Sequence, residues 1–302
     1  MPTDIQVFGP DFKNGTVAGT NEWIKPNNFT VKVVEVWLCG GGAGGGSGSR
    51  RQISTANAGG GGGGSAGELV FASFDGYALG SAEIVTIGAG GAGGAAVTAN
   101  NTAGNFGIDG NPSSFGSWIT ARAGKAPTTV PNNNTSGNGG SLAASGNQPG
   151  ANSGGGWRNP GAGFDGGFAA TNAVGAIVSC APIGGGGGGA CHLNGTTYNG
   201  GSGVPTTASP FGSITANNGV AGGTLDAGDA VLLGYAANLP IWYSGGGGGA
   251  SGPNAAGAAG NGGKGKFGSG GGGGGGKVQN SGGNSGAGGS GGNGYCVVIS
   301  YG

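Results

Sequence analysis

Charge is what this chain has least of: 11 Lys and Arg stand against 11 Asp and Glu in 302 residues, with a single histidine. Nothing here makes a cationic stripe able to neutralise phosphates, which disfavours nucleic acid and anionic membranes as partners. No apolar stretch approaches the roughly 20 residues that span a bilayer, and residues 1–9 lack the basic-then-apolar order of a secretion signal. Synthesis in a cytoplasm without membrane insertion is therefore expected. Proline is only 13 of 302 and no Gly-X-Y period is kept, which sets collagen aside. The four cysteines, Cys39, Cys180, Cys191 and Cys296, include no C-x-x-C pair and no histidine at ligand spacing, so neither zinc nor any other metal or cofactor is expected. If 180–191 is extended it spans up to roughly 34 Å, beyond the about 7 Å that a disulfide allows. Free, buried thiols are the expectation, with Cys39 and Cys296 in strand-like segments that pairing would make neighbours.

Glycine is what fills the space: 86 of 302 residues, gathered into runs at 40–48, 59–64, 88–94, 184–189, 245–249, 270–276 and 282–294. Such a run makes a poor helix and a poor strand, because it surrenders the most backbone entropy and packs no side chain. It suits the polyproline-II conformation, with three residues per turn and about 3.1 Å rise. With no Cβ in the way, neighbouring runs can approach until their outward amides and carbonyls bond to one another, which satisfies buried backbone. Flexible linker is the competing reading. Disordered chains, however, carry high net charge and few aromatics, whereas this chain has zero net charge and five Trp. Segments 31–38, 83–87 and 295–301 are rich in β-branched and aromatic residues, as strands are. The fold expected is mainly irregular and all-β, a polyglycine-II helix sandwich bracketed by short β-strands, with almost no α-helix.

Along the chain, 21–26 and 31–38 form a hairpin-like pair with Pro26, Asn27 and Asn28 at the turn. Segments 67–71 and 82–87 are further strands, and 295–301 closes the chain, so that pairing first and last strands joins the termini. Ser114-Phe-Gly-Ser-Trp-Ile-Thr-Ala121 echoes as Pro210-Phe-Gly-Ser-Ile-Thr-Ala216, which suggests two related sub-units of one sandwich. Long excursions poor in glycine runs lie at 111–138, 157–182, 191–218 and 224–244, and loops this long are usually functional or disordered.

Catalytic motifs are absent in substance. G-x-S-x-G occurs at 63–67 and 288–292, but a serine nucleophile needs a histidine base and the chain has only His192, in a polar loop. The phosphate-loop spacing at 260–266 and 271–277 fails at its last position, where Phe267 and Val278 replace the hydroxyl that holds magnesium. The loop aromatics Trp157, Phe164, Phe168, Tyr198, Tyr235, Trp242 and Tyr243 stand beside glycine runs that cannot cover them. Each either caps an open bundle end or faces a sugar or protein, where an amphipathic ring supplies apolar area and a polar handle.

Val33-Val-Glu-Val-Trp-Leu-Cys-Gly-Gly-Gly-Ala-Gly-Gly-Gly46, the 59–70 run and strand, Ile84-Val-Thr-Ile-Gly-Ala-Gly-Gly91, Gly110-Asn-Pro-Ser-Ser-Phe-Gly-Ser117 and the closing Gly292-Asn-Gly-Tyr-Cys-Val-Val-Ile-Ser-Tyr301 together resemble the glycine-rich domain of bacteriophage tail fibres. The chain is similar in its glycine runs, more weakly, to the tip adhesins of T-even-like phages, without their attachment domain. The resemblance covers 18–302 and leaves 1–17 as an N-terminal docking segment. It implies a non-catalytic virion surface protein, a tail-fibre or tip adhesin, that docks on other virion proteins or copies of itself. It also implies a host-surface glycan or outer-membrane protein as receptor, bound through loops. Trp157, Arg158, His192, Tyr198, Trp242 and Tyr243 are the receptor-binding candidates. The alternatives are a structural capsid fibre or decoration protein and, last, an ice-binding bundle, for which the threonines at 98, 102, 120, 128 and 129 lack a three-residue period.

Overall fold

The computed structural model describes residues 2–9, 18–52, 56–132, 137, 156–159, 184–193, 196–201, 232–236, 239–243, 246, 248–249, 251–252, 257–278 and 282–302, with backbone alone for 156–159, 232–236 and 239–243. Among these residues there is no α-helix. The chain divides into a β-sandwich and a bundle of extended runs that continue directly from its strands.

Two sheets face each other at one end. One has five strands in the order β1 (Thr3–Phe8), β13 (Tyr295–Tyr301), β3 (Val33–Cys39), β5 (Leu69–Asp75) and β9 (Gly156–Asn159), with every neighbouring pair antiparallel. The other has four, in the order β2 (Gly19–Ile24), β6 (Ala82–Ile87), β7 (Ser113–Phe115) and β8 (Ile119–Ala121). Because side chains alternate across a strand, Val34, Val36, Leu38, Cys296 and Val298 share one face and meet Trp23, Val85, Phe115 and Ile119 from the smaller sheet. Trp23 and Phe115 lie 5.7 Å apart, tilted. The other face of the large sheet carries Val7, Val297 and Ile299 with Trp37, which packs on Phe71 at 4.6 Å.

The hairpin expected between 21–26 and 31–38 does not form. β2 pairs with β6, and β3 with β13 and β5. Trp23 and the Val34, Val36, Leu38 row bury themselves against each other face to face across the sandwich, so the link between them crosses from sheet to sheet. The closing strand does join the termini: it lies between β1 and β3, and Gly302 N donates to Pro2 O at 3.0 Å. Thr3–Phe8, inside the segment set apart for docking, is hydrogen-bonded along its length to that strand. Ser114–Ala121 is the β7–β8 hairpin; its echo at 210–216, like Cys180, lies outside the described residues.

The remaining short elements are β4 (Arg50–Arg51), parallel to β12 (Lys277–Val278), and a hairpin of β10 (Leu232–Ala236) with β11 (Leu239–Tyr243).

From the strand ends the chain runs on without turning, since a strand rises about 3.3 Å per residue and a polyproline-II helix about 3.1 Å. Hydrogen bonding in the runs has a three-residue period. Along 40–49, the amides of Gly41, Gly44 and Ser47 donate to Asn111, Ile108 and Asn105; those of Gly42, Gly45 and Gly48 donate to Gly292, Gly289 and Gly286; those of Ala43, Gly46 and Ser49 donate to Ser65, Gly62 and Gly59. Each residue thus addresses a different neighbour from the residues beside it. This run is bonded to six others, 57–68, 88–97, 102–112, 122–132, 268–277 and 283–294, and 268–277 is likewise enclosed by six. These two are the centres of a close-packed array in which backbone is the core.

Two members were not legible as runs. Segments 102–112 and 122–132, part of which was read as a long excursion, are bundle helices on the periphery. A peripheral helix turns only one side inward, so 102–112 keeps glycine at every third position alone: a Cβ on Gly104, Gly107 or Gly110 would collide with the carbonyls of Ser47, Gly44 and Gly41. Phe106 and Ile108, between them, are exposed.

Candidate functional site

The parallel and antiparallel runs share one axis between two ends. Residues 40, 68, 88, 112, 122, 268 and 294 adjoin the sandwich, and this is the strand end. Residues 50–52, 56–58, 97–102, 191–193, 196–197, 277–278 and 282–284 lie at the opposite, loop end. The six receptor-binding candidates divide between them. Trp157 and Arg158 lie on β9 at the edge of the large sheet, in register with Phe71 and Val70. Trp242 and Tyr243 end β11, three residues before Gly246, whose amide donates to Gly270 O near the strand end.

His192 and Tyr198 are brought together at the loop end, both half-buried. The chain reverses there: Cys191 bridges to Thr197, His192 N donates to Thr196 O at 2.8 Å, and Tyr198 N to Ala190 O at 3.2 Å. Ser251 fixes the return, its hydroxyl accepting from Tyr198 N (2.6 Å) and donating to Tyr198 O (3.0 Å). Leu193 N donates to Asn57 Oδ1 at 2.8 Å, tying the turn to the neighbouring run. Beneath it Cys191, Ala58 and Val278 form a small apolar cluster. Burial pushes the Cys191 thiol up to about 11, against the Val278 hydrogen bond and the Lys277 charge.

Cys39, Cys191 and Cys296 are free and buried. Cys39 pairs with Tyr295 and Cys296 with Leu38, so the two thiols occupy opposite faces of the sheet and belong to different clusters. Burial raises both, and the Glu68 charge adds to the rise at Cys39.

The sequence motifs resolve into bundle positions. Ser65, in the first G-x-S-x-G, is buried with its hydroxyl accepting from Lys125 N at 2.7 Å. The 271–277 match to the phosphate loop is an enclosed central run, and its Lys277 is buried, with Nζ donating to Gly257 O at 2.6 Å.

Sequence reasoning passed over Arg50 and Arg51, which lie at the loop end beside Lys277 through the β4–β12 bridge. Their signal was there: two adjacent arginines at the end of a glycine run, in a chain with few charges. Arg50 Nη2 donates to Gly282 O at 3.1 Å and Arg51 Nη2 to Asn132 Oδ1 at 2.5 Å, so each cation caps the end of another run.

The model of the glycine-rich domain family matches residues 16–301, and the chain belongs to that family. No curated protein matches it. Among the described residues no group of His, Cys, Asp and Glu is placed to hold a metal ion, and no helix is long and apolar enough to cross a membrane.

Proposed function

We propose that this member of the glycine-rich domain family is a virion surface protein of a bacteriophage, a tail-fibre or tip adhesin that holds receptor-contacting groups rigidly and performs no chemistry. The observation that carries the reading is the bundle itself. Two fully enclosed polyglycine runs, 40–49 and 268–277, are held by backbone hydrogen bonds along their described length between the strand end and the loop end. Loops that are already ordered lose less entropy on binding than loops that must order on contact. The order of strand, run and closing strand resembles that of phage fibre domains.

Both chain termini lie on the large sheet at the strand end. Docking on other virion proteins through the N-terminal segment would turn this end to the particle and the loop end, with His192 and Tyr198, to the host surface. In that arrangement Trp157, Arg158, Trp242 and Tyr243 lie on the docking side. The experiment is adsorption of assembled virions carrying His192→Ala with Tyr198→Ala, compared with Trp157→Ala and the Trp242→Ala, Tyr243→Ala pair. Loss of adsorption in the first set with normal assembly supports the loop end as the tip. Loss in the second set alone reverses the polarity. Parental adsorption in all of them replaces the adhesin by the structural capsid fibre or decoration protein, which copy number per particle then checks.

A further inference from the structure

A strand at the edge of a sheet turns every second residue's amide and carbonyl away from its ladder, and the structure treats its two neighbouring edges, β2 and β1, differently. The edge of the small sheet is closed at Ile24. Gln6 Nε2 donates to Ile24 O at 2.6 Å and Ile24 N donates to Gln6 Oε1 at 3.2 Å, so a β1 side chain occupies the β2 backbone there. The edge of the large sheet is open. Gly302 N donates to Pro2 O, and in the unbroken antiparallel register this turns the backbone of Asp4, Gln6 and Phe8 towards β13 and that of Ile5 and Val7 away from it. Among the described residues no hydrogen bond reaches the outward groups of Ile5 and Val7, and Ile5 is 50% exposed. Nothing blunts this edge, since Thr3–Phe8 holds no lysine, no proline and no bulge.

We propose that the β1 edge pairs with the same edge of a second copy of this chain, antiparallel about a two-fold axis at Gln6, so that two five-stranded sheets join edge to edge. The register follows from the groups left open. Setting Ile5 opposite the second copy's Val7, and Val7 opposite its Ile5, satisfies the outward amides and carbonyls of both residues in both copies. It also makes two β-branched cross-strand pairs on the face that already carries Val7, Val297 and Ile299. Each Asp4 then stands opposite a Phe8 and not opposite the other Asp4, so like charges do not meet, and Asp4 keeps its hydrogen bond from Gln6 Nε2 at 2.9 Å. Zero net charge over the chain removes long-range repulsion between copies. The contact uses one patch on both copies and closes on itself, so association stops at two. The seam belongs to β1 alone, because the β13 edge beneath it is covered. Self-pairing of the isolated protein goes beyond the tail-fibre reading and stands without it.

The test is sedimentation of the full chain over a range of concentrations reaching about 1 mM. Expected is a reversible monomer–dimer equilibrium that goes no further than the dimer. Ile5→Pro removes an outward amide and leaves the β13 ladder intact, so it should move the dimerisation midpoint at least about tenfold higher, since one bond is lost in each half of the seam. Should Ile5→Pro fail to fold, Ile5→Lys keeps every backbone group, places a charge on the edge and should weaken the dimer likewise. Ile84→Lys, on the outer face of the small sheet where Ile84 is 58% exposed, should dimerise as the parent does. A parent that stays monomeric at the highest concentration overturns the proposal, as does dimerisation of the folded Ile5 variants equal to the parent's. Weakening by Ile84→Lys alone moves the contact to the small sheet and overturns it too.

Discussion

A single added methyl group is the sharpest probe of the bundle, because what it meets depends on which of three faces it occupies. At Gly273 a Cβ would overlap the Gly61 carbonyl, and at Gly45 the Gly272 carbonyl, both backbone atoms held in hydrogen-bonded runs. Gly185 and Gly188 in the 184–189 run meet Gly271 and Gly274 in the same way. Ala92, by contrast, lies on the exposed line of its run, spaced by three residues from Ala89 and Ala95. Gly273→Ala and Gly45→Ala are therefore expected to destabilise by at least about 1–3 kcal/mol, the cost of overpacking where neighbours cannot shift. Ala92→Ser should stay within about 0.5 kcal/mol, as surface changes do. Urea unfolding midpoints check the contrast, and a Gly273→Ala protein as stable as the parent would remove the close-packed array.

The cysteines give a second residue-scale expectation. Burial raises the folded pKa of Cys191 from 9.0 to about 11. A group raised in the folded state stabilises fully below its unfolded pKa and loses that contribution as pH climbs to the folded one. Stability should thus fall between about pH 9 and pH 11 as the unfolded chain ionises first, and Cys191→Ala should lessen that slope. Denaturant midpoints measured across this window test it. Reaction with a thiol reagent in native conditions should be slow at Cys39, Cys191 and Cys296 alike, because the thiolate is the nucleophile.

At the scale of elements, the junction between run and strand depends on one ion pair. Glu68, fully buried, receives Arg122 Nη2 on Oε1 at 3.1 Å, and Arg122 N and Nε on Oε2 at 3.0 and 3.2 Å. Removing the cation leaves the buried Glu68 carboxylate without this countercharge, though still bonded to the Arg122 amide, where the 57–68 run becomes β5, a change of the kind that costs up to roughly 3–5 kcal/mol. Lys125 and Asp109, about half exposed, approach to 2.7 Å. Burial works against the Asp109 charge, yet the Lys125 hydrogen bond and charge and the Ala126 amide hold its pKa below the usual carboxylate range. In water such a pair contributes about 0–1 kcal/mol. Arg122→Ala is expected to lower the melting temperature far more than Lys125→Ala. Equal losses would mean that the junction does not rely on Glu68.

For the whole molecule, β1 covers one edge of the closing strand and contributes Phe8 to the sandwich core. Removing residues 1–9 uncovers that edge and the Phe8 site. The expected outcome is a less stable chain with a greater tendency to associate through the bared strand, seen as a lower Tm and a larger species in sedimentation. A truncated chain that melts and sediments as the parent does would make the segment dispensable to the domain. The two-ended plan also sets the adsorption comparison above, since substitutions at opposite ends of a rigid bundle should not compensate for one another.

By itself the sequence determined the material of the core. Glycine runs with no helical period, flanked by β-branched strands, admit little other than extended backbone packed on backbone, and the free thiols and the closing strand followed from local composition. The number of bundle helices was not legible, because 102–112 and 122–132 need glycine only on the side that faces inward and otherwise look like loops. Nor was the partner of β2, since the same apolar segments satisfy a hairpin or a face-to-face sandwich, and only burial of Trp23 against Val34, Val36 and Leu38 selects the latter. The candidate aromatics could be named from their neighbours, but their division between two ends required the course of every run. Arg50 and Arg51 stand more than 200 positions from Lys277 in the chain, and only the parallel bridge that aligns two run ends sets them side by side.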